Sequence, residues 1–122
     1  MRVLICGDRN WNQAGPILDA LMAQDDVTLV IDGAARGADT IGHQVAEAMD
    51  FPTKQFPADW DQYHKAAGPI QNQQMLTEGK PDLVLAFHND ITKSKGTRDM
   101  LKRCIKAGIP FALYPDGQDS NI

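Results

Sequence analysis

Gly33-Ala34-Ala35-Arg36-Gly37-Ala38-Asp39 sets small residues, a guanidinium and a carboxylate side by side. The segment follows the apolar run Val27 to Ile31. It leads into Thr40 to Met49, where apolar residues recur at helical spacing. A small-residue loop between a strand and a helix lets backbone N–H groups approach an anion, and the helix N-terminus favours negative charge. Arg36 suits phosphate, because its planar fork matches phosphate oxygens. Asp39 either serves the helix start or accepts from sugar hydroxyls. The pattern is neither GxGxxG nor a Walker loop, since the Gly-Lys-Ser/Thr ending is missing. A phosphate-bearing ligand, a nucleotide or a derivative of one, is the class that fits.

Three further groups offer compatible chemistry. In Gly7-Asp8-Arg9-Asn10-Trp11, Gly7 permits a close turn, Arg9 can pair with phosphate, and Trp11 can stack on a base or cap the core. In the stretch from Asp59-Trp60 to Asn72, Lys65 and the backbone around Gly68 can grip phosphate, and Asn72 can bond a base or sugar. Trp60 and Tyr63 can stack or pack. A lone loop histidine such as His64 is usually only solvated, and His43 has no motif around it. In Lys95-Gly96-Thr97-Arg98-Asp99, Gly96-Thr97 forms a second anion-friendly helix start, although Thr97 also suits an N-cap.

The elements that must position these groups alternate. Strand-like runs occupy residues 2–6, 27–31, 52–56, 82–87 and 110–114. Helical periodicity marks 17–22, with Gly15-Pro16 at its start, then 40–49, 71–78 and 97–107. Near-continuous apolar strands alternating with helices predict a parallel sheet covered on both faces. Right-handed crossovers then favour a three-layer, doubly wound α/β fold with a mostly parallel sheet of about five strands. All four candidate groups follow strands, so they meet at the carboxyl edge, where open parallel sheets bind ligands.

The 122 residues suit one domain, 1–115, with 116–122 as a loose polar tail. A net charge of −4 argues against a broad nucleic-acid surface, but leaves room for a small anion in one pocket. Cys6 and Cys104 have neither metal-ligand nor disulfide-framework spacing and read as buried thiols of a reducing cytoplasm. No signal peptide or membrane-length apolar run is visible. No metal or cofactor is expected.

Taken together and in order, the groups resemble the SLOG superfamily, specifically its small YspA-like, YpsA-related branch. The family's phrases look like a G-S-R-x-W turn, a G-G-A-R-G-A-D loop, F-P-A-D-W, G-K-A-A-G-P-I-R-N, P-D-L-V-L-A-F and a G-x-G-T turn. Phe56 to Trp60, Lys65 to Ile70, Asn72 and Pro81 to Phe87 match outright. The resemblance implies a Rossmannoid domain that binds nucleotides or molecules derived from them, such as ADP-ribose-like or NAD-derived signals, as a sensor or sequestering protein. It maps Gly33, Arg36, Gly37 and Asp39 onto the first ligand loop, and Gly96 and Thr97 onto the second, phosphate-binding turn. It also implies a homodimer or larger. Helix faces bearing Met22, Met49 or Met75 are candidates for the interface, although core packing is the default for all three.

The alternative it carries is enzymatic. LOG phosphoribohydrolases cleave the N-glycosidic bond of nucleoside monophosphates with a Glu two residues past the Gly-Thr pair. Asp99 holds that spacing here, with Lys65, Arg98 or Lys95 as substitutes for a supporting Arg. Gln71, Gln73 and Gln74 stand where relatives often carry arginines, and Ser94-Lys95 replaces a double glycine. These departures favour binding over cleavage.

Overall fold

The computed structural model describes residues 1–122. Five strands form one sheet: β1 (Arg2–Gly7), β2 (Leu29–Asp32), β3 (Thr53–Gln55), β4 (Leu83–Phe87) and β5 (Phe111–Tyr114). Their order is β3-β2-β1-β4-β5, and every pairing is parallel. In register, Leu4 of β1 lies between Ile31 of β2 and Val84 of β4. This is the doubly wound Rossmann-like fold that the alternation implies.

Side chains of a strand alternate between faces, and the two faces of this sheet build separate cores. Val3, Ile5, Val30, Leu85 and Phe87 pack with Ile17 and Leu21 of α1 (Ala14–Met22) and with Ala38 and Ala46 of α2 (Ala38–Ala48). Leu4, Cys6, Ile31, Val84, Ala86 and Leu113 pack on the other side. There they meet Met75 and Leu76 of α4 (Ala67–Gly79) and Met100, Leu101 and Cys104 of α5 (Gly96–Ala107). Met75 therefore belongs to the core and offers no outer face for association.

Two differences from the sequence pattern bear on the site. Residues 57–68 are not all loop: α3 (Trp60–Tyr63) forms a single turn, with the Asp59 side chain accepting from the Gln62 amide at 3.1 Å. Helix α4 starts at Ala67, ahead of the periodic stretch, with Pro69 in its first turn. Proline is tolerated there because the first-turn N–H groups have no intrahelical partner to lose. The tail is also tied down. Gln118 accepts from the Ile91 amide at 2.8 Å and donates to the carbonyls of His88 and Pro115 at 2.8 and 2.9 Å. A polar composition concealed one side chain that serves three backbone groups.

Candidate functional site

The carboxyl ends of β1 to β4 open into a cleft of about 710 Å³. Gly7, Asp8 and Arg9 enter from β1, and Gly33 to Arg36 with Asp39 from β2. Pro57, Ala58 and Trp60 enter from β3. His88 and Lys93 to Lys95 come from β4, and Gly68, Gln71, Asn72, Gly96 and Thr97 from the helices. Strands lie about 4.8 Å apart, so the cleft runs about 14 Å from the β3 loop to the β4 loop. One end holds an aromatic, Trp60, which is 53% exposed. The cations Arg36, Arg9, and Lys93 with Lys95 then follow along the cleft on the loops of β2, β1 and β4 in turn.

The β2 loop is held from within by two carboxylates. Asp39 Oδ2 accepts from the amides of Gly33 at 2.9 Å and Ala35 at 3.4 Å. Asp32 Oδ1 accepts from the Ala34 amide at 2.7 Å and from Gln55 Nε2 at 2.9 Å. This corrects the expected role of the loop: the donors of residues 33–35 turn inward and do not form a backbone cradle for an anion. Gln71 completes the clamp, with Nε2 donating to the carbonyls of Gly33 at 2.6 Å and Phe56 at 2.8 Å. Behind the loop His43 Nδ1 sits 3.3 Å from Asp32 Oδ2, and its Nε2 meets Glu47 at 2.6 Å. That histidine, which had no motif, belongs to the support of the loop.

Burial pushes the Asp39 carboxyl up to about 7, and the neighbouring Asp32 charge adds to the rise against the pull of the Ala35 and Gly33 amides. Beneath the cleft, burial raises the Cys6 thiol well above its ordinary range, with Asp39 contributing.

The α5 start is capped similarly. Ser94 Oγ accepts from the amides of Thr97 at 3.0 Å and Arg98 at 3.4 Å. Thr97 lines the cleft, but its amide is spent. Asn72 is buried, and its Nδ2 donates to the Gly96 carbonyl at 3.1 Å and to Asp99 Oδ2 at 2.9 Å. Only its amide oxygen is left to accept from a ligand. Ser94, Lys93 and Gln71 were absent from the candidate residues. The Ser-x-x-Thr spacing is the sequence signal that points to the Ser94 cap.

Gly7, Arg9, Gly33, Arg36, Asp39, Gly68, Asn72, Gly96 and Thr97 are brought together in the cleft lining. Trp11 is not: it is 7% exposed, tilts against Phe87 with ring centroids 5.6 Å apart, and donates its indole N–H to the Gln13 carbonyl at 2.7 Å. Gly37 also lies outside the lining. It has φ of 76°, and a Cβ there would run into the backbone of Asp8 and Arg9, so it seats the β1 and β2 loops against each other. Lys65 is exposed on the turn between α3 and α4 and is not part of the cleft lining. Asp99 is not in the cleft lining but in that of an adjoining groove; its Oδ2 accepts from both Asn72 and Arg103 Nε, the latter at 2.8 Å.

A doubly wound α/β domain with a cation-lined cleft at the carboxyl edge of its sheet is the class that fold and site define. The profile of the YspA, cpYpsA-related SLOG family matches residues 1–63. The chain is also 35% identical to the Gene 61 protein of Mycobacterium phage D29, over 94% of this chain and 97% of that protein. It belongs to the YspA, cpYpsA-related SLOG family. In fold it is similar to DNA processing protein A (DprA) from Streptococcus pneumoniae, with a TM-score of 0.75 at 15% identity. That match covers 95% of this chain and 50% of DprA, so the chain spans about half that protein's length. No helix is long and apolar enough to cross a membrane.

Proposed function

We propose that the cleft binds a phosphorylated, nucleotide-derived small molecule and that the protein senses or sequesters it. One observation carries this reading. Arg9, Arg36 and Lys95 converge on the cleft with no carboxylate or hydrogen-bond partner for their side chains, in a chain whose net charge is −4. Exposed cations without partners, gathered at one edge, suit an incoming anion, and guanidinium forks suit phosphate best. With the amides of Gly33, Ala34 and Ala35 turned inward, these side chains supply the main attraction.

The length and polarity of the cleft support a nucleotide over a bare phosphate. A ring stacked on Trp60 at the β3 end leaves the phosphates beside Arg36, Arg9 and the β4 loop. The Asn72 amide oxygen can accept from a base or sugar donor. Family membership supports a nucleotide-related ligand as well. Nothing in the geometry favours cleavage, because Asp99 lies outside the lining and is held by Asn72 and Arg103. Residues 1–115 would act as the binding domain, in a reducing cytoplasm that keeps Cys6 and Cys104 as free thiols. Self-association would use the exposed Leu18 and Met22 on α1.

Mass spectrometry of small molecules released from the denatured protein tests the reading. A co-purifying nucleotide is expected in the wild type. Arg36→Ala should weaken its binding roughly 10- to 100-fold, the loss of one charge-assisted hydrogen bond. Unchanged affinity in both Arg36→Ala and Arg9→Ala would overturn the assignment.

A further inference from the structure

Half of the chain's twelve basic residues fall between positions 93 and 106, with Asp99 as the only acid there. Six cations and one carboxylate make this segment +5, which leaves −9 for the rest of a chain whose total is −4. Arg98, Lys102 and Lys106 recur every fourth residue and so form one stripe along α5, with Lys95 at its head. None of these four forms an ion pair; Arg98 is half-buried, and its Nε is buried without a hydrogen-bond partner. Asp99 does not neutralise the stripe, because Arg103 holds it. A groove of about 270 Å³ runs past Ser94, Lys95, Arg98, Asp99 and Lys102, three cations to one carboxylate that Arg103 already holds. Ser94 and Lys95 line both this groove and the main cleft, so the two are continuous.

We propose that the outer face of α5 is a track for a phosphate backbone, so that the cleft takes its nucleotide as the end of a short single-stranded nucleic acid. The proposal rests on the nucleotide reading of the cleft. Successive cations advance about 6 Å along the helix, close to the separation of neighbouring phosphates in an extended strand. A cationic groove that leads into a cleft with an exposed aromatic, Trp60, combines the features that hold single strands without reading their sequence. The track is one helix wide and flanked by a body of charge −9, which repels the second strand of a duplex. The acidic total counted against nucleic acid in the sequence, but that total averages over this segregation.

Fluorescence anisotropy with a 5′-phosphorylated single strand of about ten thymidines tests this. The four phosphate contacts of the track contribute an affinity loss of about 50-fold between about 50 and 200 mM salt, on top of the contacts in the cleft. In Lys102→Ala/Lys106→Ala the total loss should be about 7-fold smaller than in the wild type, since two contacts are gone. Both lysines are exposed, and alanine preserves the helix. Calorimetry with a nucleoside monophosphate should give the same affinity for this variant as for the wild type. A variant that keeps the wild-type salt dependence would sink the track. So would a duplex or polyglutamate that competes as well as the single strand. A wild type that binds the strand with the expected salt dependence, but no monophosphate, would instead refute the cleft reading and support the track.

Discussion

Asp39 sits 6% exposed beneath the β2 loop with another carboxylate nearby, and its proton is held up to about pH 7. The unfolded chain releases that proton near the ordinary value of 3.8. Between these two pH values the folded protein binds a proton that the unfolded chain has lost. The contribution of this group to stability is therefore full below about pH 4 and is lost as pH rises through 7, by roughly 4 kcal/mol. Asp39→Asn keeps an acceptor for the Gly33 and Ala35 amides without the charge. Urea unfolding should find the variant more stable than the wild type at pH 8 and equal to it at pH 4. Parallel pH profiles would show that the carboxyl titrates at its ordinary value. Residue types were legible here and directions were not. Arg9 and Arg36 read as ligand-facing because a loop arginine has few structural uses. Asp39 and Asp32 could have turned either way from the same positions, and only the packed structure turns their oxygens onto the loop amides.

Among the elements, the strand ends made the cleft legible: four loops at the carboxyl edge converge wherever the sheet is parallel. The glycines within those loops divide into two kinds that the sequence cannot separate. Gly37 has no room for a Cβ and adopts a positive φ, whereas Gly96 stands in open space at the start of α5. Gly37→Ala should cost about 3 kcal/mol or more, through strain and backbone overlap. Gly96→Ala should change stability by less than about 1 kcal/mol, in the stabilising direction. Denaturation midpoints check both. A loss of ligand affinity in folded Gly96→Ala would then report on the site alone. Helix α3 and the early start of α4 escaped the pattern because Trp60-Asp61-Gln62-Tyr63 and Ala67-Gly68-Pro69-Ile70 carry no helical apolar periodicity. An Asp59 cap and a first-turn proline, and not apolar periodicity, permit them.

Across the whole molecule, charge is as segregated as the cores are. With a pI near 5.1, the protein as a whole repels a cation exchanger at pH 7.5. The +5 segment around α5 should nonetheless give retention at low salt. Lys102→Ala/Lys106→Ala should elute earlier, and flow-through of the wild type would show that the body's charge dominates. The fold class was legible because alternating elements leave few topologies. The charge segregation was equally present in the sequence, but it gains meaning only once α5 places the cations on one stripe. The sheet order has a mechanical consequence too. The chain covers one face of the sheet with its first two helices and the other with its last two, and the seam between these layers opens at the cleft. A ligand gripped by Arg36 from one side and Lys95 from the other is a strap across that seam. Its departure would slacken the join between the two halves of the chain while each helix pair stayed seated on its own face.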